Sequence, residues 1–322
     1  MATGKIALAL GGGAARGWAH IGVLRVLEEA GIVPDIVVGT SMGAVVGGCY
    51  VAGKLTELEG FARELNRRRV FGYLDFNLAG SGLISGQRLN SKLEQHLADQ
   101  QIETLDRRYA AVATEIGTGH EVWLSRGRLV DAMRASYALP GIFKPVSIHG
   151  RWLFDGALVN PIPVSVCRAY GARYVIGVNV NADMFGRGAV VPGFDAHTDP
   201  SLDETEPSEK SSYGRSARQL LQRQLFGRGD GAPGISSVML DAFNIVQDRI
   251  SRSRLAGDPP DILISPKLGD IGLFEFHRAE ETIERGRAAA NREIDDIVRE
   301  VAVRRRHGPI AGPDGAQQQA AK

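Results

Sequence analysis

Ile36-Val37-Val38-Gly39-Thr40-Ser41-Met42-Gly43 is the stretch on which the fold turns. Three consecutive β-branched residues after the turn-forming Pro34-Asp35 predict a short buried strand, and the small residues that follow predict a helix. Between the two lies G-x-S-x-G. A serine at a strand-to-helix turn is held in a tight backbone conformation, and glycines two residues to either side remove the Cβ atoms that would collide with neighbouring chain. Its hydroxyl then projects into open space at a helix N-terminus, where the peptide dipoles favour developing negative charge. Ser41 is therefore a candidate nucleophile. The plainer alternative is a Gly- and Ser-containing turn without chemistry.

The same strand-turn-helix unit precedes this one. Ile6 to Leu10 is a short apolar run that ends in Gly11-Gly12-Gly13-Ala14-Ala15-Arg16-Gly17, and His20 to Ala30 has helical periodicity through Ile21, Leu24 and Leu27. A glycine turn after a first strand is also how dinucleotide folds hold pyrophosphate, but the third glycine of G-x-G-x-x-G would fall on Arg16. Asp35 precedes the second strand instead of ending it, which again departs from that pattern. Three glycines free of side chains suit an oxyanion hole beside a serine on the adjacent strand, which makes Gly11, Gly12 and Gly13 candidates for it. Arg16 is a candidate for charge beside a phosphate head group or the oxyanion. The alternative for Arg16 is a salt bridge on the first turns of the helix.

Downstream, strands are expected at Ala110 to Thr114, Glu121 to Leu124, Trp152 to Phe154, Tyr174 to Val180 and Asp261 to Pro266. Helices are expected at Leu129 to Ser136, Ile235 to Arg254 and Phe276 to about Val303. Alternation of this kind predicts an α/β domain with a largely parallel sheet. Residues 184–233 are rich in Gly, Pro, Ser, Asp and Glu and read as a mobile insertion in a domain spanning 1–303; residues 304–322 read as a disordered tail.

A serine hydroxyl needs a base. Seven histidines are available, at 20, 96, 120, 149, 197, 277 and 307, and none follows a strand in the position an α/β-hydrolase histidine occupies. Asp155-Gly156-Ala157 does follow one directly, and an aspartate at a strand end beside a glycine is a candidate catalytic carboxylate. Asp-Gly is also a common turn, and both readings stand on the residues alone.

Net charge is +1, from 38 basic and 37 acidic residues, so no global field draws the chain to nucleic acid. Cys49 and Cys167 sit in apolar stretches and read as buried thiols, which fits a reducing compartment and a cytoplasmic protein. The N-terminus enters the first strand too soon for a signal peptide. Apolar runs break well short of the roughly 20 residues that cross a bilayer, leaving peripheral contact at the inner face of the membrane as the expected mode.

Four blocks together resemble the bacterial patatin-like phospholipases related to the catalytic domain of neuropathy target esterase. They are Gly11 to Gly17, Gly39 to Gly43, Ala135-Ser136-Tyr137-Ala138-Leu139-Pro140-Gly141-Ile142-Phe143, and Asp155-Gly156-Ala157 with Asn160-Pro161. The resemblance implies a three-layer α/β/α fold with a mostly parallel central sheet and a Ser41-Asp155 dyad served by an oxyanion hole in the glycine loop. It also implies hydrolysis of a phospholipid, lysophospholipid or other acyl ester without cofactor or metal. A patatin-fold regulatory or binding protein is the alternative function. Long acyl chains need an apolar entrance, and Phe61 to Leu89 is a candidate because Arg67-Arg68-Arg69 adjoins Phe71, Tyr73, Leu74 and Phe76. The same residues also read as a solvated helix end followed by packed aromatics. The basic run Arg215 to Arg228 is a second candidate for lipid or partner binding.

Overall fold

Along the first strand, β1 (Lys5–Leu10), successive side chains enter different cores. Ile6, Leu8 and Leu10 belong to one buried cluster and Ala7 and Ala9 to another, the two-residue alternation of a strand covered on both faces. The computed structural model describes residues 4–73, 87–97, 100–184 and 235–306. In chain order β1 is followed by a 3-10 turn and α1 (Ala19–Glu29), β2 (Ile36–Thr40), α2 (Met42–Val51), α3 (Leu55–Arg63), α4 (Arg67–Tyr73) and α5 (Gln87–Leu97). Then come β3 (Arg108–Glu115), β4 (Glu121–Leu124), α6 (Leu129–Ser136), β5 (Val146–Ile148), β6 (Arg151–Asp155), α7 (Val164–Ala169) and β7 (Ala172–Val178). The last described elements are α8 (Ile235–Gly257), β8 (Ile262–Ile264) and α9 (Ala279–Arg306).

The strands form one sheet in the order β5-β6-β3-β2-β1-β7-β8, with β4 also pairing β3. Neighbours from β3 to β8 along this path are parallel, whereas β4 and β6 run antiparallel to β3 and β5 antiparallel to β6. The larger core packs α1, α2, α6 and α9 against one face through Leu24, Val46, Met133 and Ile283, and the smaller packs α7 against the other through Val164, Val166 and Cys167. This is a mostly parallel sheet between helical layers, as the alternation of apolar runs and helical periods predicts.

Some boundaries differ from those read in the sequence. The strand expected at Tyr174 to Val180 spans Ala172–Val178, because its pairing with β1 ends at Leu10 and the chain turns away there. The last helix begins at Ala279 behind a 3-10 turn and runs through Arg304 to Arg306, past the expected start of the tail. Arg304 explains the extension: its guanidinium lies 4.8 Å from the centre of the Tyr174 ring and donates to the Arg173 carbonyl at 3.0 Å. The expected insertion lies outside the described residues apart from Met184, as does the tail beyond Arg306.

Helices α1 and α9 approach through glycines. A Cβ on Gly22 would sit 2.0 Å from the Ile283 carbonyl oxygen, and one on Gly286 would sit 2.0 Å from that of Ala19. Backbone cannot yield there as a flexible side chain would. Gly22→Ala is therefore expected to destabilise the protein by about 3 kcal/mol, measured by urea denaturation, whereas Gly60→Ala, at an open position inside α3, should stabilise it by up to about 1 kcal/mol.

Candidate active site

Parallel pairing of β1 with β2, with Leu10 beside Gly39, brings the glycine loop and Ser41 to the same edge of the sheet. In open α/β sheets that edge, outside the carboxyl ends of the strands, is where ligands bind. Ser41 has φ 55° and ψ −123°, a left-handed backbone conformation that costs a non-glycine residue about 1–3 kcal/mol. The surroundings hold it there. A Cβ on Gly43 would meet the Leu10 carbonyl oxygen at 2.2 Å, so only glycine lets the start of α2 press this closely on β1. The Ser41 amide donates to Ser136 Oγ at 2.9 Å, and that hydroxyl donates onward to the Val112 carbonyl at 2.6 Å. The Ser41 carbonyl accepts from the Ala44 and Val45 amides, which starts α2.

Asp155 ends β6, where Ala113 of β3 is its partner. Val112, one residue earlier on β3, pairs with Thr40 of β2. Strand β3 therefore sets the spacing between the two residues, and Ser41 Oγ donates to Asp155 Oδ2 at 2.6 Å. The second carboxylate oxygen accepts from the Ala157 amide at 2.8 Å. The Asp155 backbone is pinned as well, its amide donating to Ala138 and its carbonyl accepting from Thr114 Oγ1. Only 2% of Asp155 is exposed, and burial raises its pKa from 3.8 to about 7 against the opposing hydrogen bonds from Ser41 and Ala157. A carboxylate that gains its proton near neutrality is matched to accept one from a hydroxyl.

The glycine loop differs in detail from the expected oxyanion hole. The Gly11 amide donates to the Val178 carbonyl at 3.1 Å and the Gly12 amide to that of Pro161 at 3.0 Å, so both are committed to the fold. Among the described residues, the Gly13, Ala14 and Met42 amides have no acceptor. Gly13, Ala14 and Met42 line the same cavity as Ser41 and Asp155.

Arg16 also departs from its expected place beside substrate. It is buried, donating from Nε to the Ile271 carbonyl at 2.7 Å and from Nη1 to Asn181 Oδ1 at 2.9 Å. Asn181 in turn donates to the Gly12 carbonyl at 2.8 Å. Burial lowers the Arg16 pKa to about 10, with Asp183 and Glu275 opposing the shift, so it stays cationic at neutral pH and braces the loop from behind.

Ser136, Asn181, His20 and Gln247 carry parts of the site that were not assigned from sequence. His20 is fully buried with its pKa lowered by burial to about 4, and the neutral ring donates from Nε2 to the Gly11 carbonyl at 2.7 Å. Among the described residues no histidine is hydrogen-bonded to Ser41; His197 and His307 lie outside them. Gln247 of α8 is buried and closes over Gly12, 3.1 Å from where a Cβ there would be. Ser136 lay within a quoted motif block, but the other three had no local signal.

From Ser41 and Asp155 an apolar cavity of about 120 Å³, partly open to solvent, extends past Val45, Leu58, Leu93, Leu97 and Phe243. It reaches Lys54, Glu57, Lys92 and His96 at its polar end. Of the expected entrance, Phe61 lines this cavity. Arg69 pairs with Glu64 at 2.9 Å and Arg67 donates to His277. Leu74 and Phe76 lie outside the described residues, as does Arg215 to Arg228. Among the described residues no group of three or more His, Cys, Asp or Glu is placed to hold a metal ion, and no helix is long and apolar enough to cross a membrane.

The model of the patatin-like phospholipase family matches residues 8–168, which carry the glycine loop, Ser41 and Asp155. An uncharacterized NTE family protein of Mycobacterium tuberculosis is 33% identical over 91% of this chain and 93% of its own length. Lysophospholipase NTE1 of Yarrowia lipolytica is 28% identical over 84% of this chain and 18% of its own. Patatin-like phospholipase domain-containing protein 6 of the mouse is 35% identical over 55% of this chain and 14% of its own. The chain belongs to the patatin-like phospholipase family and is a carboxylic ester hydrolase.

Proposed function

We propose that the chain hydrolyses acyl esters of phospholipids or lysophospholipids, with Ser41 as nucleophile and Asp155 as general base. The 2.6 Å Ser41–Asp155 hydrogen bond at the wall of an apolar cavity carries this reading. The likeness to a protein named as a lysophospholipase supports the substrate class.

Asp155 Oδ2 takes the hydroxyl proton as Ser41 Oγ attacks the ester carbonyl carbon. The oxyanion forms beside the Gly13, Ala14 and Met42 amides, which have no acceptor among the described residues, where donors fixed before reaction lower the barrier most. Collapse of the intermediate breaks the carbon–oxygen bond, and Asp155 returns the proton to the leaving alcohol. Asp155 then deprotonates water, which attacks the acyl-serine carbonyl; the acyl–Oγ bond breaks, Asp155 returns the proton to Ser41 Oγ, and the fatty acid leaves. The apolar cavity accommodates the acyl chain throughout. Its walls also keep Asp155 out of water, which is why the carboxylate is basic enough for the task.

Ser41→Ala is expected to lower turnover of a short p-nitrophenyl ester by about four orders of magnitude or more, and Asp155→Asn by about a thousandfold. Retained turnover in either folded variant rejects the dyad. Asp155 also makes stability depend on pH. Between its unfolded pKa of 3.8 and its folded value of about 7, the folded chain holds a proton that the unfolded chain has lost, so its contribution falls as pH rises through that window. In denaturant titrations, Asp155→Asn should therefore gain on the parent chain progressively from about pH 4 to pH 7 and level off above. A difference that is constant with pH would show that the carboxylate is not perturbed.

A further inference from the structure

Helix α8 has two faces of opposite use. Inward, Phe243 and Gln247 line the cavity that holds Ser41, and Leu240 packs on the main core. Outward, Val238 is 47% exposed, Met239 51%, Ile245 47% and Val246 46%. These are four of the ten exposed large hydrophobics among the described residues, gathered within three turns of one helix. At about 100° per residue, Val238, Ile245, Val246 and Arg249 fall within one sector of roughly 100°. Arg252 borders that sector on one side, together with the exposed Asp241, and Met239 borders it on the other. Going along the helix, the stripe is apolar for its first turns and basic afterwards. Arg252 pairs with the nearly buried Asp248 at 2.8 Å, which holds the guanidinium at the helix surface.

We propose that this outer stripe seats the protein on the surface of an anionic phospholipid bilayer, with Val238, Met239, Ile245 and Val246 entering the acyl boundary and Arg249 and Arg252 at the level of the phosphates. The choice of a bilayer rests on the lipid-ester reading above. A substrate dissolved in a membrane has to pass into the cavity, and α8 is the element whose one face lines that cavity while the other presents apolar surface. An apolar band followed by arginines is the order of layers that a monolayer presents from acyl chain to head group. Exposed apolar residues on a helix of a soluble enzyme otherwise carry a cost, since contiguous apolar patches favour association.

The full chain is tested by co-sedimentation with vesicles of phosphatidylcholine alone and of phosphatidylcholine with phosphatidylglycerol. The parent chain should bind the anionic vesicles more tightly, and Ile245→Asp with Val246→Asp should weaken that binding on the order of tenfold or more. Val238→Asp alone, at the first turn, should weaken it less. Turnover of a soluble short-chain ester should be unchanged in both, which also shows that they fold. Ser41→Ala should bind vesicles as the parent does, so that failure of the dyad and failure of docking are read separately. Unchanged vesicle binding in the double variant overturns the proposal. So does a parent chain that ignores vesicles, or one that forms a dimer in solution which the double variant dissociates, since a second copy would then cover the stripe.

Discussion

The hydrogen bond from Ser41 to the buried carboxylate of Asp155 depends on one strand. β3 pairs with β2 at Val112 and with β6 at Ala113, so two consecutive residues set the distance between Ser41 and Asp155. The same carbonyl of Val112 accepts the Ser136 hydroxyl that holds the Ser41 amide. Little of this geometry is left to loops. The side chains to be aligned stand at the ends of paired strands whose backbones are pinned on both sides, a rigidity that catalytic constellations need.

Two unfavourable features are maintained by that rigidity. Ser41 sits at a positive φ, and Asp155 is buried with no cationic hydrogen-bond partner among the described residues. Each destabilises the fold locally; the turn places Ser41 at the cavity wall, and burial raises the Asp155 pKa toward neutrality. Most of the glycine loop's surroundings are hydrogen-bonded, although Nδ1 of the buried His20 has no partner among the described residues. Gly11 and Gly12 give their amides to Val178 and Pro161, while Arg16, Asn181 and His20 fasten the loop from behind. Gly13, Ala14 and Met42, whose amides have no acceptor among the described residues, line the cavity.

What was legible in the sequence was local. The strand-turn-helix around Ser41 needs only adjacent residues to be recognised, and Asp155 stands out because it closes a short apolar run. The parallel sheet follows from alternation of runs and helical periods. What was not legible depends on distant partners. The use of the Gly11 and Gly12 amides is set by the distant Val178 and Pro161, and the burial of Arg16 by Asn181 and Ile271. Composition marks an arginine as a surface charge until tertiary contacts show otherwise. Helix α8 was expected as a helix, but its inner and outer faces both carry apolar residues, so periodicity alone did not say which one meets the active site.

The most direct test of the central claim is the rate at which a fluorophosphonate labels the protein as a function of pH, with the adduct located by peptide mass spectrometry. Labelling needs both an activated serine and a base in its ionised form. With Asp155 as base, the adduct lies on the peptide containing Ser41 and the rate rises through about pH 7, where that carboxylate gives up its proton. An adduct on another residue, or a Ser41 labelling rate that does not change across that range, would contradict it.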